Sequence, residues 1–184
     1  MKEEQTHIFP SWKAEQLDNK IRRLLQNPYK ILSPFVSKGM TVLDYGCGNG
    51  YFSIPLSKMV DNSGKVFAVD IQKEMLDKLS DKLKALNISN VTDIQRGSEK
   101  LNVPECVDFA IAVYVVHEIP DQTGFFREIF DLLNPDGKLL IMEPDFIVSK
   151  RKFNKTIEVA KQVGFVDSER LNLFLSKSGI LLKK

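Results

Sequence analysis

Asp44, Gly46, Gly48, Gly50 and Asp70 are the residues whose types and spacing could do chemistry in this sequence. The first four fall within Asp44-Tyr45-Gly46-Cys47-Gly48-Asn49-Gly50. An apolar strand signal (Thr41-Val42-Leu43) precedes that stretch, and a helical start (Tyr51-Phe52-Ser53-Ile54-Pro55-Leu56-Ser57) follows it. Alternating glycines at a strand-to-helix junction permit backbone angles closed to residues with a Cβ and let a ligand approach the main chain. Such a loop binds part of a small molecule, and Asp44 helps decide which. Asp70 closes the second strand signal, Lys65-Val66-Phe67-Ala68-Val69-Asp70. A carboxylate at that place can accept hydrogen bonds from both hydroxyls of a ribose, which fits an adenosine-containing ligand.

The spelling of the loop narrows the ligand. The dinucleotide fingerprint Gly-x-Gly-x-x-Gly, counted from Gly46 and Gly48, would need a glycine where Tyr51 stands. A pyrophosphate would not favour the nearby carboxylate, which counts against a nicotinamide dehydrogenase. A ligand carrying an ammonium and a sulfonium would favour it, because opposite charge stabilises the pair.

Strands and helices in alternation must position these residues. Residues 13–26 carry Leu17, Ile21, Leu24 and Leu25 at helical spacing, Asn27-Pro28 breaks that helix, and 29–36 reads as a second short one. After strands at 41–43 and 65–70, residues 73–86 read as an amphipathic helix and 91–95 as a third strand. Residues 107–113 look buried on both faces, as central parallel strands are. Residues 122–133 read as a helix, Asn134-Pro135-Asp136-Gly137 as a turn, 138–142 as a strand and 154–163 as a last helix capped by Gly164. Residues 165–173 and 179–182 then make a terminal hairpin. Repeated βα units predict one α/β domain over 1–184, with an N-terminal helical segment (1–37) and a core (38–184).

Composition excludes several classes. The 184 residues suit one substantial core, and a net charge of +2 is too small to suggest nucleic-acid binding. Lys150-Arg151-Lys152 with Lys155 reads as a solvated face, and Lys183 and Lys184 as a solubilising tail. Two distant cysteines, Cys47 and Cys106, suggest neither a disulfide framework nor a metal site. No apolar run approaches membrane-spanning length, and the first residues do not resemble a secretory leader, so the cytoplasm is the expected location.

Val42-Leu43-Asp44-Tyr45-Gly46-Cys47-Gly48-Asn49-Gly50 resembles the first motif of class I S-adenosylmethionine-dependent methyltransferases. The resemblance continues through Val66-Phe67-Ala68-Val69-Asp70 with Met75-Leu76, and through the stretch from Val107 to Ile119. It ends in Leu132-Leu133-Asn134-Pro135-Asp136-Gly137-Lys138-Leu139-Leu140-Ile141. It is nearest in kind to the small-molecule, type 11-like group that includes quinone-biosynthesis and arsenite enzymes, although an arsenic substrate would want several thiols. The resemblance implies a Rossmann-like three-layer sandwich, its seven-stranded sheet ordered 3-2-1-4-5-7-6 with strand 7 antiparallel. It implies S-adenosyl-L-methionine as cofactor. Asp44, Gly46 and Gly48 would lie by its methionine part, with Cys47 and Gly50 in the same loop. Asp70 would hold the ribose, Ile71 would pack on the adenine, and Ala112 would flank the methionine portion. Where the family often carries an acid on the adenine amino group this chain has Ser98, with Glu99 beside it.

On the acceptor side, His117 follows strand four and could remove a proton from a hydroxyl or ring nitrogen, or could pack or cap the next helix instead. Tyr114 and Glu143 are comparable candidates, each open to a structural reading. Trp12 and Tyr29 could belong to a lid, or to helices packing on the sheet. Cys47 could also be a reactive thiol at a helix start. A methyltransferase acting on a small molecule is the first functional expectation. A non-catalytic S-adenosylmethionine-binding module or partner subunit is the alternative, favoured by the shortness of the segment after strand five. The sequence leaves the acceptor and the oligomeric state open.

Overall fold

Successive side chains of a strand point to opposite faces, so one sheet builds two cores. Val42, Val66, Phe109, Ile111 and Leu140 are buried on one face, and Leu43, Phe67, Ala110, Ala112 and Leu139 on the other. The computed structural model describes residues 26–97 and 101–184. In chain order these form α1 (Pro28–Leu32), β1 (Thr41–Tyr45), α2 (Ser53–Val60), β2 (Lys65–Asp70), α3 (Lys73–Ala85), β3 (Val91–Gln95) and β4 (Val107–Val113). A 3-10 turn (Val116–Glu118) follows, then α4 (Gln122–Leu132), β5 (Leu133–Pro144), α5 (Lys150–Val163), β6 (Val166–Glu169) and β7 (Ser176–Leu182).

The strands lie in the order β3-β2-β1-β4-β5-β7-β6, and β7 runs antiparallel to both of its neighbours. This is the expected Rossmann-like sheet. Side chains of α1 and α2 (Ile31, Leu32, Leu56, Val60) fill one face. Those of α4 and α5 (Phe126, Ile129, Phe153, Ile157) fill the other. Phe126 is fully buried, and its truncation to alanine should cost about 3–5 kcal/mol. Strand order reverses between β1 and β4, both paired to neighbours in parallel, so a crevice opens beyond their carboxyl ends.

Several boundaries differ from the sequence expectation. The short helix spans Pro28–Leu32 rather than 29–36: Asn27 accepts from the Tyr29 and Lys30 amides, and Pro28 stands in the first turn. Asn27-Pro28 therefore starts a helix. The Asn134-Pro135-Asp136-Gly137 stretch lies inside β5, because Asp136 and Gly137 pair with Lys183 through two backbone hydrogen bonds. The last helix begins at Lys150, capped by the Ser149 hydroxyl on the Lys152 amide. Strand β7 begins at Ser176 because buried Ser176 and Ser178 bond to neighbouring backbone. Lys183 is no loose tail: its ammonium donates to the Phe130 and Leu133 carbonyls at 2.6 and 2.7 Å. The helix expected at 13–26 lies outside the described residues up to its last position.

Candidate active site

The chain leaves β1 through a left-handed path, with Gly46, Gly48 and Gly50 at φ +74°, +53° and +89°. The Gly46 and Cys47 amides donate to the Val69 carbonyl at 2.8 and 2.9 Å, folding the loop over the end of β2. A Cβ on Gly46 would stand 2.7 Å from Val115 Cγ2, so only glycine admits the segment that follows β4. Gly46, and Gly50 with Leu79 Cδ1 at 2.5 Å from its would-be Cβ, therefore serve a close approach as well as a turn.

Asp70 ties that loop in place. Its Oδ2 accepts from the Gly48 amide at 2.8 Å, and its Oδ1 from the Gln72 amide at 2.9 Å. Burial raises the Asp70 carboxyl above its usual range, against the lowering effect of these bonds. Ile71, next along, is exposed at the mouth of the crevice. Asp44 lies deeper, almost wholly buried at the end of β1, and accepts from the Ser53 hydroxyl at 2.5 Å. Burial lifts its carboxyl to about 7, Ser53 opposes the rise, and Asp70 adds to it. Among the described residues no cation pairs with it. A buried acid of this kind suits a positively charged group brought by a ligand.

The next two strands carry the other half. His117 sits in the 3-10 turn beyond β4, and Glu143 is buried near the end of β5. Glu143 Oε1 accepts from the His117 amide at 3.0 Å, while Oε2 lies 2.6 Å from the ring Nδ1. A carboxylate at Nδ1 holds the ring proton there and leaves Nε2 as the basic nitrogen. Burial disfavours the charged ring, but the bond and charge of Glu143, with the charge of Glu118, outweigh it and raise the pKa. Glu118 Oε1 lies 3.9 Å from Nε2. Its carboxyl rises to about 7 through burial, which outweighs the attraction of His117.

A model of the methyltransferase domain matches residues 36–172. The chain belongs to the methyltransferase-domain family. Over 96% of this chain and 100% of the other, the fold superposes on a SAM-dependent methyltransferase of Aquifex aeolicus, with TM-score 0.84 and 27% identity. A Methanococcus maripaludis structure, at TM-score 0.76 and 20% identity, shares the fold. A demethylmenaquinone methyltransferase of Lactobacillus johnsonii is 28% identical over 144 residues, which are 75% of this chain and 58% of that protein. A ubiquinone/menaquinone biosynthesis C-methyltransferase of Pasteurella multocida is 34% identical over 110 residues, 59% of this chain and 41% of that one. The chain spans about half the length of these curated relatives. The class I S-adenosylmethionine-dependent methyltransferase expected from the motifs is thereby borne out for the domain.

The fold brings Asp44, Gly46, Cys47, Gly48, Gly50 and Asp70 together around one loop, with Ala112 in register beside Tyr45. Ser98 and Glu99 lie outside the described residues, as does Trp12. Cys47 is buried, and burial with the nearby Asp44 and Asp70 charges pushes its thiol well above its usual range, which runs against the reactive-thiol reading. Tyr114 stands at φ +60°, and its hydroxyl bonds Ser176 Oγ at 2.5 Å and the Gln26 amide group. Four contributors escaped the sequence reading: Ser53, Val115, Ser176, and the Arg96–Glu128 pair at 3.0 Å below the loop after β3. Val115, Ser176 and the Arg96–Glu128 pair act on partners distant in the chain, so local pattern carries no signal for them. Only the Ser53 position, at a helix start, could have suggested a polar role.

Proposed function

We propose that this domain transfers a methyl group from S-adenosylmethionine to a small molecule whose nucleophilic atom, or a conjugated neighbour, carries a removable proton. The observation that carries this reading is the pairing of a buried, cation-seeking Asp44 with Asp70 at one strand-end crevice, beside a base-like His117–Glu143 couple. In this reading the loop of Asp44, Gly46, Cys47, Gly48 and Gly50, with Ala112, holds the methionine portion. Asp70 takes the ribose hydroxyls, and Ile71, Ser98 and Glu99 attend the adenine. The bound cofactor supplies an electrophilic methyl group on a sulfonium.

His117 Nε2 accepts the acceptor's proton, Glu143 steadies the imidazolium that results, and the apolar strand ends exclude water. The two relatives are named for quinone biosynthesis, which supports an electron-rich hydroxylated ring as the acceptor class. Deprotonating such a ring hydroxyl would enrich the ring carbon that attacks the methyl group. The cytoplasm is read as the place of action, and the domain 1–184 as one unit. Among the described residues no helix is long and apolar enough to cross a membrane.

The test has two parts. Thermal shift should show stabilisation by S-adenosylmethionine and S-adenosylhomocysteine, and stabilisation by NAD alone would sink the reading. Release of S-adenosylhomocysteine with a panel of phenols and hydroquinones should then depend on His117. Binding without turnover across the panel would favour the non-catalytic module instead.

A further inference from the structure

We infer that Phe146, Ile147, Phe174 and Leu175, with the cations that open α5, form a docking surface for an anionic lipid bilayer. The four apolar side chains come from two loops, residues 145–149 after β5 and 170–175 before β7. Pairing of Pro144 with Ser176 brings the loops side by side. The Asp145 amide donates to the Leu175 carbonyl at 3.1 Å, and the Lys177 ammonium meets Asp145 at 2.6 Å, fastening one loop to the other. Phe146 is 81% exposed, Leu175 55%, Ile147 53% and Phe174 53%. They are half of the eight large apolar side chains exposed among the described residues, so the exposure is clustered rather than scattered.

Two further features run against local preference. Leu175 occupies a tight turn at φ +50°, a conformation that favours glycine or asparagine and penalises a branched aliphatic side chain. Lys150, Arg151 and Lys152 fill the first turn of α5, where the helix dipole disfavours cations, and no acid accompanies them. Lys155 adds a fourth charge one turn on, and Lys150, Arg151 and Lys155 line one groove that runs along α5 past Asn154 and Glu158. The neighbouring acids are engaged elsewhere, Asp145 by Lys177 and Glu158 by Lys161. Among the described residues no ion pair neutralises the four cations, so the solvated-face reading leaves their placement unexplained.

The chemistry of this patch is that of a membrane surface. Apolar loop tips enter the headgroup boundary by a few ångströms, while lysine and arginine stems reach anionic phosphates around them. The whole chain carries only +2, so the attraction is local. Both loops stand at the carboxyl end of the sheet, on the side of Glu143. This inference does not depend on methyl transfer.

Co-sedimentation of the full chain with vesicles tests it. Binding is expected to vesicles of phosphatidylcholine containing about 30% phosphatidylglycerol, not to phosphatidylcholine alone, and to weaken in high salt. Neutralising Lys150, Arg151 and Lys155 with glutamine should weaken partitioning about fivefold per charge, on the order of a hundredfold together. Phe146→Ser with Phe174→Ser should weaken it roughly tenfold or more. Leu175→Gly separates docking from folding: it should keep or raise the melting temperature while binding falls. Absence of vesicle binding, equal binding to both compositions, or binding indifferent to these substitutions would overturn the inference. So would a vesicle-free dimer in sedimentation equilibrium that the two serines dissolve.

Discussion

Glu143 holds His117 at two points, accepting from its backbone N–H at 3.0 Å and meeting its ring Nδ1 at 2.6 Å. The backbone bond fixes the turn, and the ring bond fixes the orientation of the imidazole and leaves Nε2, 3.9 Å from Glu118 Oε1, as its basic nitrogen. Two adjacent parallel strands are needed to make this pair, since the residues stand at the ends of β4 and β5. A ring held this way loses little freedom when it takes a proton from an acceptor.

Glu143→Gln removes the charge that favours the imidazolium. The His117 pKa should fall, so the low-pH limb of turnover should move to lower pH while the maximal rate drops. Replacing His117 by alanine should slow turnover by about a hundredfold or more, with cofactor affinity kept. Release of S-adenosylhomocysteine across pH checks both, and an unmoved profile for Glu143→Gln would remove the couple from the reaction.

Asp44 makes cofactor binding sensitive to pH. Its carboxyl lies at about 7 in the ligand-free protein, and a cationic ligand favours the ionised form, so binding near neutrality should release protons. Affinity should rise with pH through about 7 and then level. Because the folded value lies above the usual 3.8, the contribution to folding is full below that value and is lost as pH rises toward 7. Calorimetry in two buffers of different ionisation enthalpy measures the protons. Asp44→Asn should abolish the release and flatten the pH dependence of melting.

Asp70→Ala should act twice. Loss of a charged acceptor for ligand hydroxyls should weaken cofactor binding at least tenfold, roughly 1.5–3 kcal/mol. The Gly48 and Gln72 amides also lose their acceptor, so the ligand-free protein should melt earlier. Asp70→Asn, which keeps one acceptor oxygen, should recover part of the melting temperature but not the affinity. Unchanged affinity in both variants would end the ribose assignment.

Gly46→Ala combines backbone strain at φ +74° with a 2.7 Å approach to Val115. The strain alone costs about 1–3 kcal/mol. Adding Val115→Ala should relieve the contact and leave the strain, so the double variant should be more stable than Gly46→Ala. Denaturant titration of the four members of the cycle measures the difference.

Lys183→Ala should destabilise the fold by about 1–2 kcal/mol, because it leaves the Phe130 and Leu133 carbonyls without their cation. Lys184→Ala should be neutral. Equal melting temperatures for the two variants would restore the loose-tail reading.

Much of this was legible along the chain. Strand periodicity placed β2, β3 and β4 at their observed bounds, and the spelling of Asp44-Tyr45-Gly46-Cys47-Gly48-Asn49-Gly50 selected a cationic ligand over a dinucleotide. These are local properties: alternation reports a two-faced sheet, and glycines report a backbone path. The boundaries that failed, at Asn27-Pro28, Asn134-Pro135-Asp136-Gly137 and Ser176-Lys177-Ser178, are polar stretches whose state depends on a distant partner.

The sequence by itself determined the fold class, the glycine loop and the acid at the end of each of the first two strands. Only the tertiary structure decided which groups those acids and His117 meet. Asp44 finds Ser53 because the glycine loop turns the next helix back over the end of β1; Asp70 finds Gly48, and His117 finds Glu143, because parallel strands align their carboxyl ends whatever their separation along the chain. Burial, hydrogen-bond partners and pKa follow from that alignment, which no local pattern of residues encodes.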